Sequence, residues 1–127
     1  MTTITEVDLR ALLKEWSQIE PQRCQADSHG IHVRFGSCWH ELSQGKAWNT
    51  EHGQALILAA AQEAIAAEHL HCFASFNPKT GKYLAAIGVE VSGVVMAQTT
   101  RATTAAEAHL GAYLQCLRVK EANGVDR

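Results

Sequence analysis

The chain has 127 residues, 46% of them hydrophobic and 19% charged, with a formal net charge of −2. That length suits one domain with a core that needs no disulfide or metal staple, and so neutral a balance excludes the basic stripe by which duplex DNA or RNA is held. The longest nearly apolar run, Ala55 to Ala61, is too short to span a bilayer, and Met1 to Glu6 lacks the start of a secretory signal, so a cytoplasmic chain with no membrane partner is expected.

In chain order, Thr5 is the expected N-cap of a first helix, with Asp8 completing a box-like cap. Ile4 and Leu9 have the spacing of a hydrophobic staple, and Glu6 and Arg10 are four apart on the solvent side. Leu9, Leu12, Leu13, Trp16 and Ile19 form one apolar stripe. The helix should stop at Glu20, because the residue before Pro21 avoids helical geometry. Cys24 to His29 is polar and reads as a loop. Ile31, Val33 and Phe35 alternate with His32 and Arg34, which predicts a half-buried strand. Gly36-Ser37 suits a two-residue hairpin turn, and Cys38 to Leu42 is the returning strand.

Asn49 or Thr50 is placed to cap a second helix running to about His69, its inner face formed by Ile57 or Leu58, Ala61 and Ile65. Leu70 to Phe76 reads as a strand, and Asn77-Pro78-Lys79-Thr80-Gly81 as a turn. Tyr83, Ala85, Ile87, Val89 and Val91 alternate along the next strand, Ser92-Gly93 turns, and Val94 to Thr100 pairs back. Thr104-Ala105-Ala106-Glu107 is a capping box opening the last helix. Its buried stripe is Ala106, Leu110, Leu114 and Leu117, with Tyr113 at the edge and Asn123-Gly124 as the stop. The order α-ββ-α-βββ-α predicts an α+β fold, an antiparallel sheet packed with three helices. It forms a single domain over 1–127, divided into a helix plus hairpin (5–42) and a helix–meander–helix unit (46–121). No internal repeat is evident.

From about Lys46 to Lys120 the chain resembles the small ABA sandwich domains encoded by bacteriophages. Three features carry the resemblance: Trp48 ahead of an alanine-rich helix, a short strand meander, and a closing helix. That helix follows Thr99-Thr100-Arg101-Ala102-Thr103-Thr104 and ends in Ala112-Tyr113-Leu114-Gln115-Cys116-Leu117. The segment Thr5 to Leu42 departs from that pattern. The resemblance implies a phage or prophage accessory protein. Small proteins of that kind block host defence by binding a host protein or trapping a signal nucleotide, an argument from fold and genome context.

Several constellations could carry chemistry. Arg101, Thr103 and Thr104 lead into a helix start, where free N–H groups and the dipole attract anions; the plain alternative is that Thr104 merely caps the helix. Seven histidines is many, and Cys38 with His40, and His69 with His71, each share a strand face; brought together they would suit zinc, although neither spacing is a zinc signature. Cys72 or Cys38 beside a histidine could form a thiolate–imidazole pair, but no local signature surrounds either, and free thiols are the default for all four cysteines. The carboxylates Glu41, Glu51, Glu63, Glu68 and Glu90 are scattered, and Thr80-Gly81-Lys82 lacks the full phosphate-loop spacing. Trp39 and Trp48 are candidate interface anchors, while Trp16 fits its helix's core stripe. The expectation is therefore a non-enzymatic binding protein without a cofactor, a host defence protein or a small anionic nucleotide being its partner. The rivals are a small metal- or thiol-dependent enzyme using the His/Cys set, and a homo-oligomeric assembly protein whose meander edge pairs across a two-fold axis.

Overall fold

The first apolar stripe folds as expected. A computed structural model describes residues 8–28, 30–43, 45 and 47–122, and in it Leu9, Leu12, Leu13 and Trp16 are buried along α1 (Leu9–Ile19). The cap is Asp8, not Thr5: its backbone is extended and its carboxylate accepts from Arg10 N at 3.0 Å. An aspartate outranks threonine as a cap, and the helix opens at Leu9, where the apolar stripe begins. Ile4, Thr5 and Glu6 lie outside the described residues.

Glu20 ends α1 and redirects the chain. Its N–H reaches Trp16 O at 2.7 Å, and its carbonyl accepts from Arg23 N and Cys24 N. The segment read as a loop is instead β1 (Cys24–Asp27), paired antiparallel with β2 (Gly30–Phe35), which pairs with β3 (Cys38–Glu41). The sequence Cys-Gln-Ala-Asp has no β-branched or aromatic residue. Burial of Cys24, whose thiol donates to Leu13 O at 3.3 Å, and pairing to β2 hold it instead. Gly36 and Ser37 both take positive φ, 60° and 70°, which matches the twist of the flanking strands.

Thr50 caps α2 (Glu51–Ala67), accepting from Gly53 N at 3.1 Å and donating to Ala47 O at 2.7 Å. Ile57, Ala60, Ala61, Ala64 and Ile65 are buried, and Leu58 is only half-buried. Then β4 (His71–Asn77), β5 (Lys82–Val91) and β6 (Val94–Ala102) form the expected meander, and α3 (Ala105–Ala122) closes the chain's described part. Asn123 and Gly124 lie outside the described residues.

The fold is α+β with three helices and two three-stranded antiparallel sheets, where one sheet was expected. Each meander rests on helices rather than on the other meander: β1 on α1 and β2 on α2, β5 and β6 on α3. The sequence order β-β-β-α thus occurs twice, with strands of different length, which hides the echo from sequence comparison. Helix α3 is enclosed nearly all round, from Ala106 through Leu110, Gly111, Leu114 and Leu117 to Lys120, because α1, α2, β5 and β6 all pack on it. Tyr113, expected at the edge, is fully buried. Small residues at Ala108, Gly111 and Ala112 let neighbours approach, and each fully buried leucine contributes about 1.5–3 kcal/mol.

Two polar links cross this core. Trp16 Nε1 and Tyr113 Oη both donate to Glu20 Oε1, at 2.9 and 2.8 Å, with Arg23 Nε 3.6 Å from the same oxygen. The Trp16 and Tyr113 rings meet edge to face, 6.2 Å apart at 82°. On the other side Lys120 Nζ binds Glu68 Oε1 at 3.0 Å, tying α3 to the end of α2.

Candidate functional site

The expected anion site surrounds the start of α3. The Thr104 hydroxyl donates to Glu107 Oε1 at 2.8 Å and accepts from Glu107 N at 3.2 Å, and Thr103 Oγ1 donates to the same carboxylate oxygen at 3.2 Å. The chain's own carboxylate therefore sits where an incoming anion would seek the helix dipole. Arg101 is exposed and follows the buried Thr100 on β6, so it projects from the opposite face of the sheet to the one α3 covers. Thr104→Ala is expected to cost about 1 kcal/mol of unfolding free energy in urea titration, as for a capping threonine.

Cys38 and His40 stand on the first sheet, whereas His69 and His71 do not share a strand face, because only His71 lies on a strand. Cys38 is exposed on β3, and His40 beside it lies with a ring nitrogen 3.4 Å from Phe35 O. His69 occupies a left-handed turn after α2 (φ 56°), and His71 faces Gly88 at the head of β4. Among the described residues no three His, Cys, Asp or Glu side chains gather so as to hold a metal ion. Partial burial raises the Cys72 thiol above its ordinary 9.0, which diminishes its thiolate at neutral pH. Of the scattered carboxylates, Glu63 accepts from Gly36 N at 3.1 Å, bracing the first hairpin against α2, and Glu68 holds Lys120. Trp39 is 42% exposed on β3 opposite Arg34, whereas Trp48 is half-buried against the core.

Sequence reasoning missed two features. The first is the second sheet's exposure. Helix α3 covers β5 and β6 but leaves β4 open, and every residue from His71 to Asn77 is exposed. Phe73 is 62% exposed, Phe76 50%, and Val94, Val95 and Met96 lie open at the β5–β6 turn. Phe76 leans on Tyr83 with ring centroids 4.7 Å apart. The signal was present: His-Cys-Phe-Ala-Ser-Phe-Asn holds no lysine, glutamate or proline of the kind that guards a sheet edge.

The second is a hollow of about 180 Å³ between α1, β6 and α3. Thr100 lines it with a side chain 2% exposed and a hydroxyl that has no hydrogen-bond partner. Gly111 lies across from it, and Glu107, Gln115, Arg118 and Glu15 complete the polar lining, with Leu12 and Ala102 among the apolar walls. Arg118 Nε binds Glu15 Oε2 at 2.7 Å on one side of the hollow. No single residue in this set announces the site in sequence, because it is assembled from three separate elements.

No family model, no curated protein and no solved structure matches this chain. Among the described residues no helix is long and apolar enough to cross a membrane.

Proposed function

We propose that the protein is a non-enzymatic binding protein of phage or prophage type that engages a host defence protein through its second sheet. The observation that carries this reading is the openness of β4 along all seven residues, with two exposed phenylalanines and no charged side chain. A bare strand edge of that length is a template for strand addition, and exposed aromatics are the side chains that anchor interfaces. The nucleotide-trapping alternative, built on Arg101, Thr103 and Thr104, draws less support, since both threonine hydroxyls are committed to Glu107.

The test is co-purification from a bacterial lysate followed by mass spectrometry. The wild-type chain should capture one defence protein stoichiometrically. Phe73→Lys and Phe76→Lys should lose that capture while changing stability by no more than about 0.5 kcal/mol, as exposed substitutions do. Capture that survives both substitutions would count against the strand, and calorimetric heat with a cyclic nucleotide, lost in Arg101→Ala, would restore the trapping version.

A second reading has its own observation. Two copies of β4 paired antiparallel about Ala74 would place Cys72 opposite Phe76 and Phe73 opposite Ser75. Large side chains would then meet small ones on both faces, with no like charges opposed. Light scattering of a concentrated sample decides it: a dimer for wild type and a monomer for Phe76→Lys supports self-pairing.

A further inference from the structure

We infer that the outer face of the second sheet, the side away from α3, packs face to face on a second copy of this chain. The two copies are related by a two-fold axis that runs across the strands. Alternation sorts the residues. Ala85, Ile87 and Val89 are buried on the side that α3 covers, so Leu84, Ala86, Gly88 and Glu90 point the other way. The register sets Phe73 beside Ala86, Ala97 beside Gly88, Val95 beside Glu90 and Arg101 beside Leu84 on that same outer side. The middle of the face, from Phe73 and Ala86 to Gly88 and Ala97, holds no carboxylate, lysine or arginine, and Phe73 and Val95 are 62% and 53% exposed. Val95 leans over Gly88, where a Cβ would come within 2.8 Å of its Cγ1, so the valine fills the notch and keeps the face even. An antiparallel sheet side that stays in water carries polar residues, and an apolar one calls for a second layer.

Charge says what that layer is. Lys82 and Arg101 stand at one end of the face and Glu90 at the other. Among the described residues none of the three makes an ion pair. Stacked sheets lie about 10 Å apart with their strands nearly aligned, within reach of such long side chains. A two-fold axis across the strands reverses the strand direction of the second copy. Placed midway between Ala86 and Gly88, it sets the Arg101–Leu84 row over the Glu90–Val95 row of the other copy, and Ala86 over Gly88. Each glutamate then lies near both cations of the opposite copy, and every contact occurs twice, as in an isologous interface. The alternative axis, parallel to the strands, would set Glu90 over Glu90 and gather the cations of both copies at the other end, which like-charge repulsion opposes. Face packing leaves the β4 edge free for the host partner proposed above, since strand addition runs in the plane of the sheet.

The experiment is sedimentation velocity of the full chain over a concentration series, for wild type, Arg101→Glu, Glu90→Arg and both reversals combined in one chain. Wild type should dimerise. Each single reversal should weaken the dimer at least about tenfold, because attraction becomes repulsion at both symmetric contacts. The combined variant should regain the wild-type dimer, since its charges are again opposite across the interface. Phe76 lies on the α3 side of β4, beside Tyr83, so Phe76→Lys should leave the dimer intact. A wild type that stays monomeric in concentrated solution, single reversals that dimerise as well as wild type, or a combined variant no better than the singles would each overturn the assignment. A dimer lost in Phe76→Lys but kept in Arg101→Glu would overturn it too, and would assign the contact to the β4 edge. Should a reversal fail to fold, Ala97→Arg takes its place: at this exposed position in the middle of the face it should abolish the dimer, and a dimer that persists sinks the proposal.

Discussion

Glu20→Ala should lower the unfolding free energy by about 3–5 kcal/mol, the cost of removing one partner from a buried charged network. Glu20 is 2% exposed and Trp16 and Tyr113 are fully enclosed, so the indole N–H and phenol O–H would be left facing apolar neighbours with no acceptor. Each such orphan costs about 1–3 kcal/mol. The Arg23 side chain is partly open to water, although its Nε is buried beside Glu20, so its loss of a partner adds less. Glu20→Gln retains an oxygen acceptor and should cost clearly less than the alanine. The measurement is urea unfolding of the single variants and of Glu20→Ala combined with Tyr113→Phe. The double variant should fall short of the sum, because the phenol no longer lacks a partner once it is gone. A loss under 1 kcal/mol for Glu20→Ala would mean that water replaces the carboxylate.

Stability should hold from neutral pH to about pH 9 and then fall steeply, with the buried Cys24 thiol among the contributors. Burial pushes the Cys24 thiol from its ordinary 9.0 up to about 12 and the Cys116 thiol up to about 11. Both stay protonated in the fold after the unfolded chain has released its protons. The stabilisation is complete below the unfolded value and is lost as pH rises toward the folded one, at about 1.4 kcal/mol per pH unit for each thiol. Cys24 alone therefore accounts for about 4 kcal/mol by pH 12 on that slope. Tyr113 acts in the same direction, its phenol raised by burial and then by the neighbouring Glu20 charge. Denaturant midpoints across this range, for wild type and Cys24→Ala, test the claim. The variant should start lower, from the lost packing, and decline less steeply. Parallel curves would remove Cys24 from the account.

Much of the fold was legible because local chemistry and tertiary packing agree. The α1 stripe, the Thr50 cap, the Thr104–Glu107 box, both tight turns and the long second meander follow from spacing and residue type. β1 was not legible, since Cys-Gln-Ala-Asp carries no strand preference and is held by burial of Cys24 and pairing to β2. The exposure of the second sheet was missed for a related reason. Alternation shows which face of a strand is apolar but not which helix will cover it, and α3 stops short of β4. At the site, residue types pointed to Arg101, Thr103 and Thr104 as one set. Alternation along β6 puts Arg101 on one side and Thr100 on the other, and the unsatisfied hydroxyl belongs to Thr100, which lay outside that set of three.

The position of α3 within the chain has a consequence for biosynthesis. Both earlier helices and the inner side of β5 and β6 find their cover on a segment that ends at Ala122. A nascent chain that has emerged only as far as β6 has α1 and α2 covered in part by β1 and β2, but the inner side of β5 and β6 still bare. Completion of the core must therefore await translation of the eighteen residues of α3, and ribosomes stalled before that point would present a chaperone client.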